Sequence, residues 1–120
     1  MSPVLAVTAG ALFAAGTYLI MQRLLTRIVI GLGLIGHGAN LLLLGSGGSP
    51  GAAPFTDQAD LALADPLPQA LVLTAIVITF GITAFLLALA YRSHALTLSD
   101  AVEDDQEDRR ISEANRRSAA

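Results

Sequence analysis

The sequence predicts an all-α membrane protein of three transmembrane helices. Three observations carry that reading. The 120 residues are 53% hydrophobic and only 14% charged, more apolar than a small soluble domain. Three runs, 3–21, 28–44 and 67–91, approach the roughly 20 apolar residues that cross a bilayer. None of the three holds an ionisable acid or base other than His37.

The helices are expected at about 3–22, 27–44 and 67–92, forming a membrane domain over 1–92. Pro3 suits a helix start, where its missing N–H has no intrahelical partner to lose. Thr8, Ala11, Ala15, Tyr18 and Gln22 form one stripe of the first helix, and Gly10, Ala14 and Thr17 a second, so neighbours are expected on two sides. The positive charges nearest this run, Arg23 and Arg27, follow it rather than precede it. It is therefore read as a retained span and not a removed signal peptide.

The middle run, IVIGLGLIGHGANLLLL, is the densest in unusual residues. Each helix-interior Gly costs about 1 kcal/mol relative to Ala. Close helix–helix approach in lipid is what offsets such a cost. At helical spacing Gly33, Gly36, His37 and Asn40 share one face, and Gly31 and Gly38 share the opposite one. A helix notched on both sides is expected between two neighbours. The run's seventeen residues at 1.5 Å each span about 25 Å, which is short for a bilayer.

Between the second and third helices, 45–65 reads GSGGSPGAAPFTDQADLALAD. Its first half is flexible in composition. Its second half is compatible with a short interfacial helix from Thr56 or Asp57. Asp65, Pro66, Pro68 and Gln69 form a rigid turn into the third helix. That helix places Ala70, Thr74, Gly81, Ala84 and Ala88 on a small-residue face, with Thr79 and Thr83 opposite. A Thr in a membrane helix commonly bonds back to its own i−4 carbonyl.

Charge sets the expected orientation. The short turn between the first two helices holds Arg23 and Arg27, Arg92 follows the third, and the long loop holds three Asp and no base. The positive-inside rule then puts the N-terminus and the long loop outside and the C-terminus in the cytoplasm. The tail, 93–120, is charged and reads as either a helical extension or disorder. From Asp100 onward it holds seven acids and four Arg, which accounts for the whole net charge of −3. His94, at the membrane edge, reads as a solvated side chain.

The composition excludes several classes. There is no Cys, so disulfides and thiolate metal sites are out, and no metal or other cofactor is implied. No basic field exists for nucleic acid. No Cys nucleophile, paired carboxylates on one helix or phosphate loop is present, so no catalytic residues are assigned and the chain is not read as an enzyme. GLGLIG lies inside a membrane-length run rather than after a strand, which removes a dinucleotide reading. His37 and Asn40 are the sharpest candidates, either on an ion path or as hydrogen-bonding glue between helices. No Asp, Glu or Lys lies in any span, although a lone ion transporter usually needs such a group. Three helices also enclose no pathway. The physical reading is a helper component of a larger membrane assembly.

The segments RIVIGLGLIGHGANLLLL and DPLPQALVLTAIVI, on a three-helix plan, resemble the C subunits of the Mrp/Mnh family, the cation/proton antiporters built from several chains. That family is similar in turn to the K-type membrane subunit of bacterial complex I. The resemblance covers 23–92. It implies a multi-pass subunit of the bacterial cytoplasmic membrane, within a complex exchanging cytoplasmic Na⁺ for external H⁺. The implied partners are the large antiporter-like A and D subunits, other small membrane subunits, and lipid. K-type relatives carry a glutamate in the second helix and another in the third. Those positions fall at Gly33 and near Ile82 here, so a carboxylate relay is not expected. Water beside Gly33, with His37, Asn40, Thr74 or Thr79 as partners, is the substitute the sequence suggests. The alternative from another class is a holin-like pore former, against which the acid-rich tail counts. A small multidrug exporter would want a fourth span and a carboxylate in the first helix.

Overall fold

A computed structural model describes residues 2–48, 51, 65–102 and 106–120. It contains α1 (Pro3–Ile20), α2 (Leu25–Ser46), α3 (Pro66–Thr97) and α4 (Gln106–Ala119). The first three are long and apolar enough to cross a membrane. The interfacial helix expected from Thr56 or Asp57 lies outside the described residues.

α1 and α3 start for identifiable local reasons. Ser2 caps α1: its hydroxyl accepts from the Leu5 N–H at 3.3 Å, and Pro3 opens the first turn. Asp65 does the same for α3, accepting from the Leu67 N–H at 3.0 Å, with Pro66 opening the first turn. The start of α2 is different. Leu24 occupies the capping position and supplies no side-chain hydrogen bond. The polar partners of that helix start come from the C-terminal segment, through Asp100.

α2 has 22 residues, a length of about 33 Å at 1.5 Å per residue. The apolar run alone undercounts it because the flanking Leu25–Arg27 and Gly45–Ser46 are also helical. α3 has 32 residues and continues past Arg92 to Thr97. It ends at Leu98, which takes the left-handed conformation with φ 56°. The Leu98 N–H donates to the His94 carbonyl at 2.7 Å. That turn sends the chain back toward α2.

The helices form a layer with α2 in the middle. α2 packs against α1 and α3, and among the described residues α1 and α3 do not touch. The protein is 17 Å across its thinnest dimension, little more than one helix diameter. So thin a layer buries little. Ala9, Val29, Val72 and Ala90 are the buried apolar side chains, joined by Gly16, Gly31 and Gly38. Most large side chains of the spans, among them Phe80 and Phe85, face outward.

The contact between α1 and α2 is made through backbone. A Cβ placed on Gly16 would come within 2.8 Å of the Gly31 carbonyl oxygen, and one on Gly31 within 2.7 Å of the Gly16 carbonyl oxygen. Only glycine at both positions permits that crossing. Two turns further along α2, Gly38 accommodates the Phe13 ring, 3.1 Å from the position a Cβ would take.

The faces used on α1 and α3 differ from the small-residue stripes of the sequence. On α1 the less exposed positions are Leu5, Ala9, Leu12, Phe13, Gly16, Leu19 and Ile20. Thr8, Ala11, Ala15 and Tyr18, and likewise Gly10, Ala14 and Thr17, are exposed. On α3 the inward row is Pro68, Val72, Ala75, Thr79, Thr83, Leu86 and Ala90. Ala70, Thr74, Gly81, Ala84 and Ala88 turn outward. In each case the contact is decided by where one backbone or methyl fits a notch in α2, not by which stripe has the smallest side chains.

Candidate functional site

α2 carries His37 and Asn40 in the membrane region, and its two sides do different work. Gly31 and Gly38 face α1. Gly36 faces α3, where the Thr79 methyl is 3.5 Å from the position of an added Cβ. Val29 and Val72 are buried in the same three-helix layer. At the C-terminal end of α2, the Pro68 ring packs over Gly47, 3.1 Å from its Cβ position. The Asp65–Pro66–Pro68 turn therefore both starts α3 and anchors it to the C-terminus of α2. Gln69 is exposed beside it.

Gly33, His37 and Asn40 lie along one edge of α2. Nothing stands within 4 Å of a Cβ built on Gly33, so the notch is open. His37, one turn on, is exposed. Asn40, one turn further, is half-buried, and its Nδ2 is buried with no hydrogen-bond partner among the described residues. An apolar-embedded donor without an acceptor costs about 1–3 kcal/mol. In lipid the group has no water to fall back on. The edge is thus open at Gly33 and polar at His37, and the Asn40 donor beside it is enclosed and unpaired.

The threonines divide. Thr74 Oγ1 donates to the Ala70 carbonyl at 3.0 Å and faces outward. Thr79 is at the α2 contact beside Gly36. The structure brings Gly36 and Thr79 together, and places Gly33, His37 and Asn40 on one edge. Thr74 and Gly81 belong to neither group, and a Cβ on Gly81 would meet nothing within 4 Å.

At the arginine-bearing end the chain closes on itself. The Leu25 N–H donates to the Asp100 carbonyl at 2.8 Å, and the Val102 N–H donates to the Arg23 carbonyl at 2.8 Å. The Asp100 carboxylate accepts from the Thr26 N–H at 3.3 Å and from the Thr26 hydroxyl at 2.9 Å. Asp100 is thus the N-cap that Leu24 cannot be, supplied from 74 residues away. A cavity of about 380 Å³ opens beside it, lined by Thr26, Leu87, Ala90, Tyr91, His94 and Asp100. Sequence reading missed Gly16 and Asp100. The first had no distinguishing spacing. The second had none: with the helix expected from 27, Thr26 stands at the capping position and the start looks self-sufficient.

A layer of three apolar helices, one helix thick, with polar notches on its middle helix and no acid or Lys in any span, defines a small multi-pass membrane subunit rather than a self-sufficient transporter. The family model of NADH-ubiquinone/plastoquinone oxidoreductase chain 4L matches residues 4–107. The chain belongs to that family, in the branch of the Na⁺/H⁺ antiporter C subunits. It is 54% identical over 95 residues to the Na⁺/H⁺ antiporter C subunit of Alkalihalophilus pseudofirmus, covering 78% of this chain and 85% of that one. It is 48% identical over 101 residues to the corresponding C subunit of Bacillus subtilis, covering 83% and 89%. Among solved structures it is similar to a chain of the Mrp complex from Dietzia sp. DQ12-45-1b, with TM-score 0.74, 36% identity, and 88% and 81% of the two chains covered. It is likewise similar to a chain of the archaeal membrane-bound sulfane sulfur reductase, with TM-score 0.73, 34% identity, and 88% and 99% covered. Both structures are complexes by name.

Proposed function

We propose that this chain is a non-catalytic membrane subunit of a multisubunit Na⁺/H⁺ antiporter. It packs among larger ion-translocating subunits, including the antiporter-like A and D subunits, in a bacterial cytoplasmic membrane. The observation that carries this reading is the similarity to a Na⁺/H⁺ antiporter C subunit over 85% of that protein's length. The thin layer supports it. A lone set of three helices with so many outward Leu, Ile, Val and Phe side chains encloses no path, and needs lipid or other subunits on both faces. The outward small-residue face of α3, with Ala70, Thr74 and Gly81, suits close approach of another subunit's helix.

The orientation follows from charge. Arg23, Arg27 and Arg92 stand at one end of the layer, and the Asp100 contacts with Leu25 and Thr26 support that grouping. We place that end in the cytoplasm and the N-terminus and the 45–65 loop outside. The open edge of α2, with Gly33, His37 and Asn40, lines a water or ion path beside a neighbouring subunit, with Thr79 behind it. Thr74 spends its donor on Ala70, which makes it the weaker candidate.

Co-purification with the large antiporter-like subunits tests the assembly. Recovery as a homo-oligomer that permeabilises vesicles would replace the reading with a holin-like pore. His37→Leu tests the path in the same preparation. Lower Na⁺/H⁺ exchange in membrane vesicles with the complex still assembled supports a path role. Loss of assembled complex assigns His37 to hydrogen bonding between helices, and full exchange removes it from both.

A further inference from the structure

We infer that α4 is a surface helix that docks its arginine face on anionic phospholipid headgroups at the same membrane edge that carries Arg23, Arg27 and Arg92. All seven positive charges of the chain are Arg, and the four not in the span-flanking segments are Arg109, Arg110, Arg116 and Arg117 of α4. At helical spacing those four fall within an arc of about 120°, with Glu113 among them. Ile111, Ala114, Glu107 and Asp108 lie on the other side. The helix is exposed throughout and touches none of α1–α3.

Two observations fix what meets that face. The first is reach. Val102 is tied to Arg23 through its N–H, at the turn between two membrane spans. Gln106, where α4 begins, is four residues on, at most about 14 Å of chain. The helix therefore starts within about 14 Å of that turn, which leaves its C-terminal arginines within reach of the headgroups. The second is charge complementarity. Guanidinium groups match phosphate oxygens in a planar, two-bond geometry, and are less strongly hydrated than ammonium groups. Polybasic segments beside a membrane span are drawn to anionic lipid on this basis.

The order of charges along the helix favours its formation. Glu107 and Asp108 sit in its first turn and Arg116 and Arg117 in its last, which complements the helix dipole. Arg110 has Glu107 at 3.9 Å, but both side chains are largely exposed, at 77% and 69%, so that pair competes weakly with a phosphate. Glu103, Asp104 and Asp105 precede the helix and make the tail as a whole acidic. Attachment is therefore expected chiefly through the C-terminal turns, where Arg116 and Arg117 stand. The inference rests on the three-span fold and not on ion exchange.

The chain has no Cys, so Ser112→Cys gives a single labelling site beside the arginine face. The full-length labelled chain is reconstituted in vesicles of phosphatidylcholine alone or mixed with phosphatidylglycerol, and a nitroxide spectrum is recorded. A slow component is expected only with phosphatidylglycerol. It should disappear at high salt, where the screening length falls to about 3 Å. It should also disappear when all four α4 arginines are changed to Gln, and survive when they are changed to Lys. Equal spectra in the two vesicle types, or a slow component that persists in the Gln variant, would overturn the inference. So would immobilisation that appears only when partner subunits are present, which would assign the face to protein. Alkaline extraction of the same vesicles reports on the spans separately. A retained chain with a mobile α4 overturns the headgroup contact alone, and an extracted chain overturns the three-span fold with it.

Discussion

The carboxylate of Asp100 accepts two hydrogen bonds from Thr26, one from its N–H and one from its hydroxyl at 2.9 Å. The two residues are 74 apart in sequence. Through them the C-terminal segment completes the start of the middle helix. The first four N–H groups of a helix have no intrahelical acceptor, and here the backbone and side chain of Asp100 serve two of them. The end of α3, the start of α2 and the tail are thereby one structural unit.

Asp100→Ala removes the side-chain cap and leaves the backbone bonds to Leu25 and Arg23 available. Loss of an N-cap acceptor costs about 0.5–2 kcal/mol, and the half-exposed position puts the expected loss near the middle of that range. Asn is as good a cap as Asp, so Asp100→Asn should recover most of it. Thermal melting of the chain in mild detergent measures both. Equal melting of the Ala variant and the parent would show that the carboxylate contributes nothing to the fold.

Gly16→Ala and Gly31→Ala each put a methyl against a carbonyl oxygen across the α1–α2 crossing, at 2.8 and 2.7 Å. Backbone cannot yield as a side chain can, so the helices must separate. A loss of about 1–3 kcal/mol is expected for such overpacking. Gly33→Ala is the internal control, because its methyl meets nothing within 4 Å. A cross-linking or helix-proximity assay between α1 and α2 should fall for the first two and not for the third.

The number of candidate spans was legible because membrane crossing is set by apolar length, a property of each segment alone. The pairing faces were less so. α1 is rich in Ala, Gly and Thr on almost every side, so two plausible stripes could be drawn and neither contained Gly16. Which glycine faces which depends on a match between two helices, and no single helix contains that information. The polar residues of α2 were visible in the sequence as anomalies, and their edge is where the structure leaves Gly33 open and Asn40 unpaired. Asp100 was hidden because its partner is so distant in sequence.

Leu98 ends α3 in the left-handed conformation, φ 56°, and is 83% exposed. A side chain with a Cβ costs roughly 1–2 kcal/mol there, and little packing offsets it. Leu98→Gly is expected to raise stability by about 1 kcal/mol, the usual preference for Gly at this helix-ending position. The check is a higher melting temperature in detergent. A lower one would mean that the leucine side chain holds the end of α3 in place by more than its exposure indicates.

Asn40 gives a prediction with opposite signs in two settings. Its Nδ2 is buried and has no acceptor among the described residues. An unsatisfied buried donor costs about 1–3 kcal/mol, and an apolar replacement of similar shape removes that cost. In the isolated chain Asn40→Leu should therefore be neutral or stabilising, by about 1 kcal/mol in melting experiments. In the assembled complex the half-buried Asn40 lies next to the Gly33–His37 edge, and a turn of its amide would bring the donor to a neighbour or water there. There Asn40→Leu should lower either the recovery of the complex or its Na⁺/H⁺ exchange. Destabilisation of the isolated chain would mean that Asn40 is satisfied within its own helices. An unchanged complex would remove this edge from the path and leave it facing lipid.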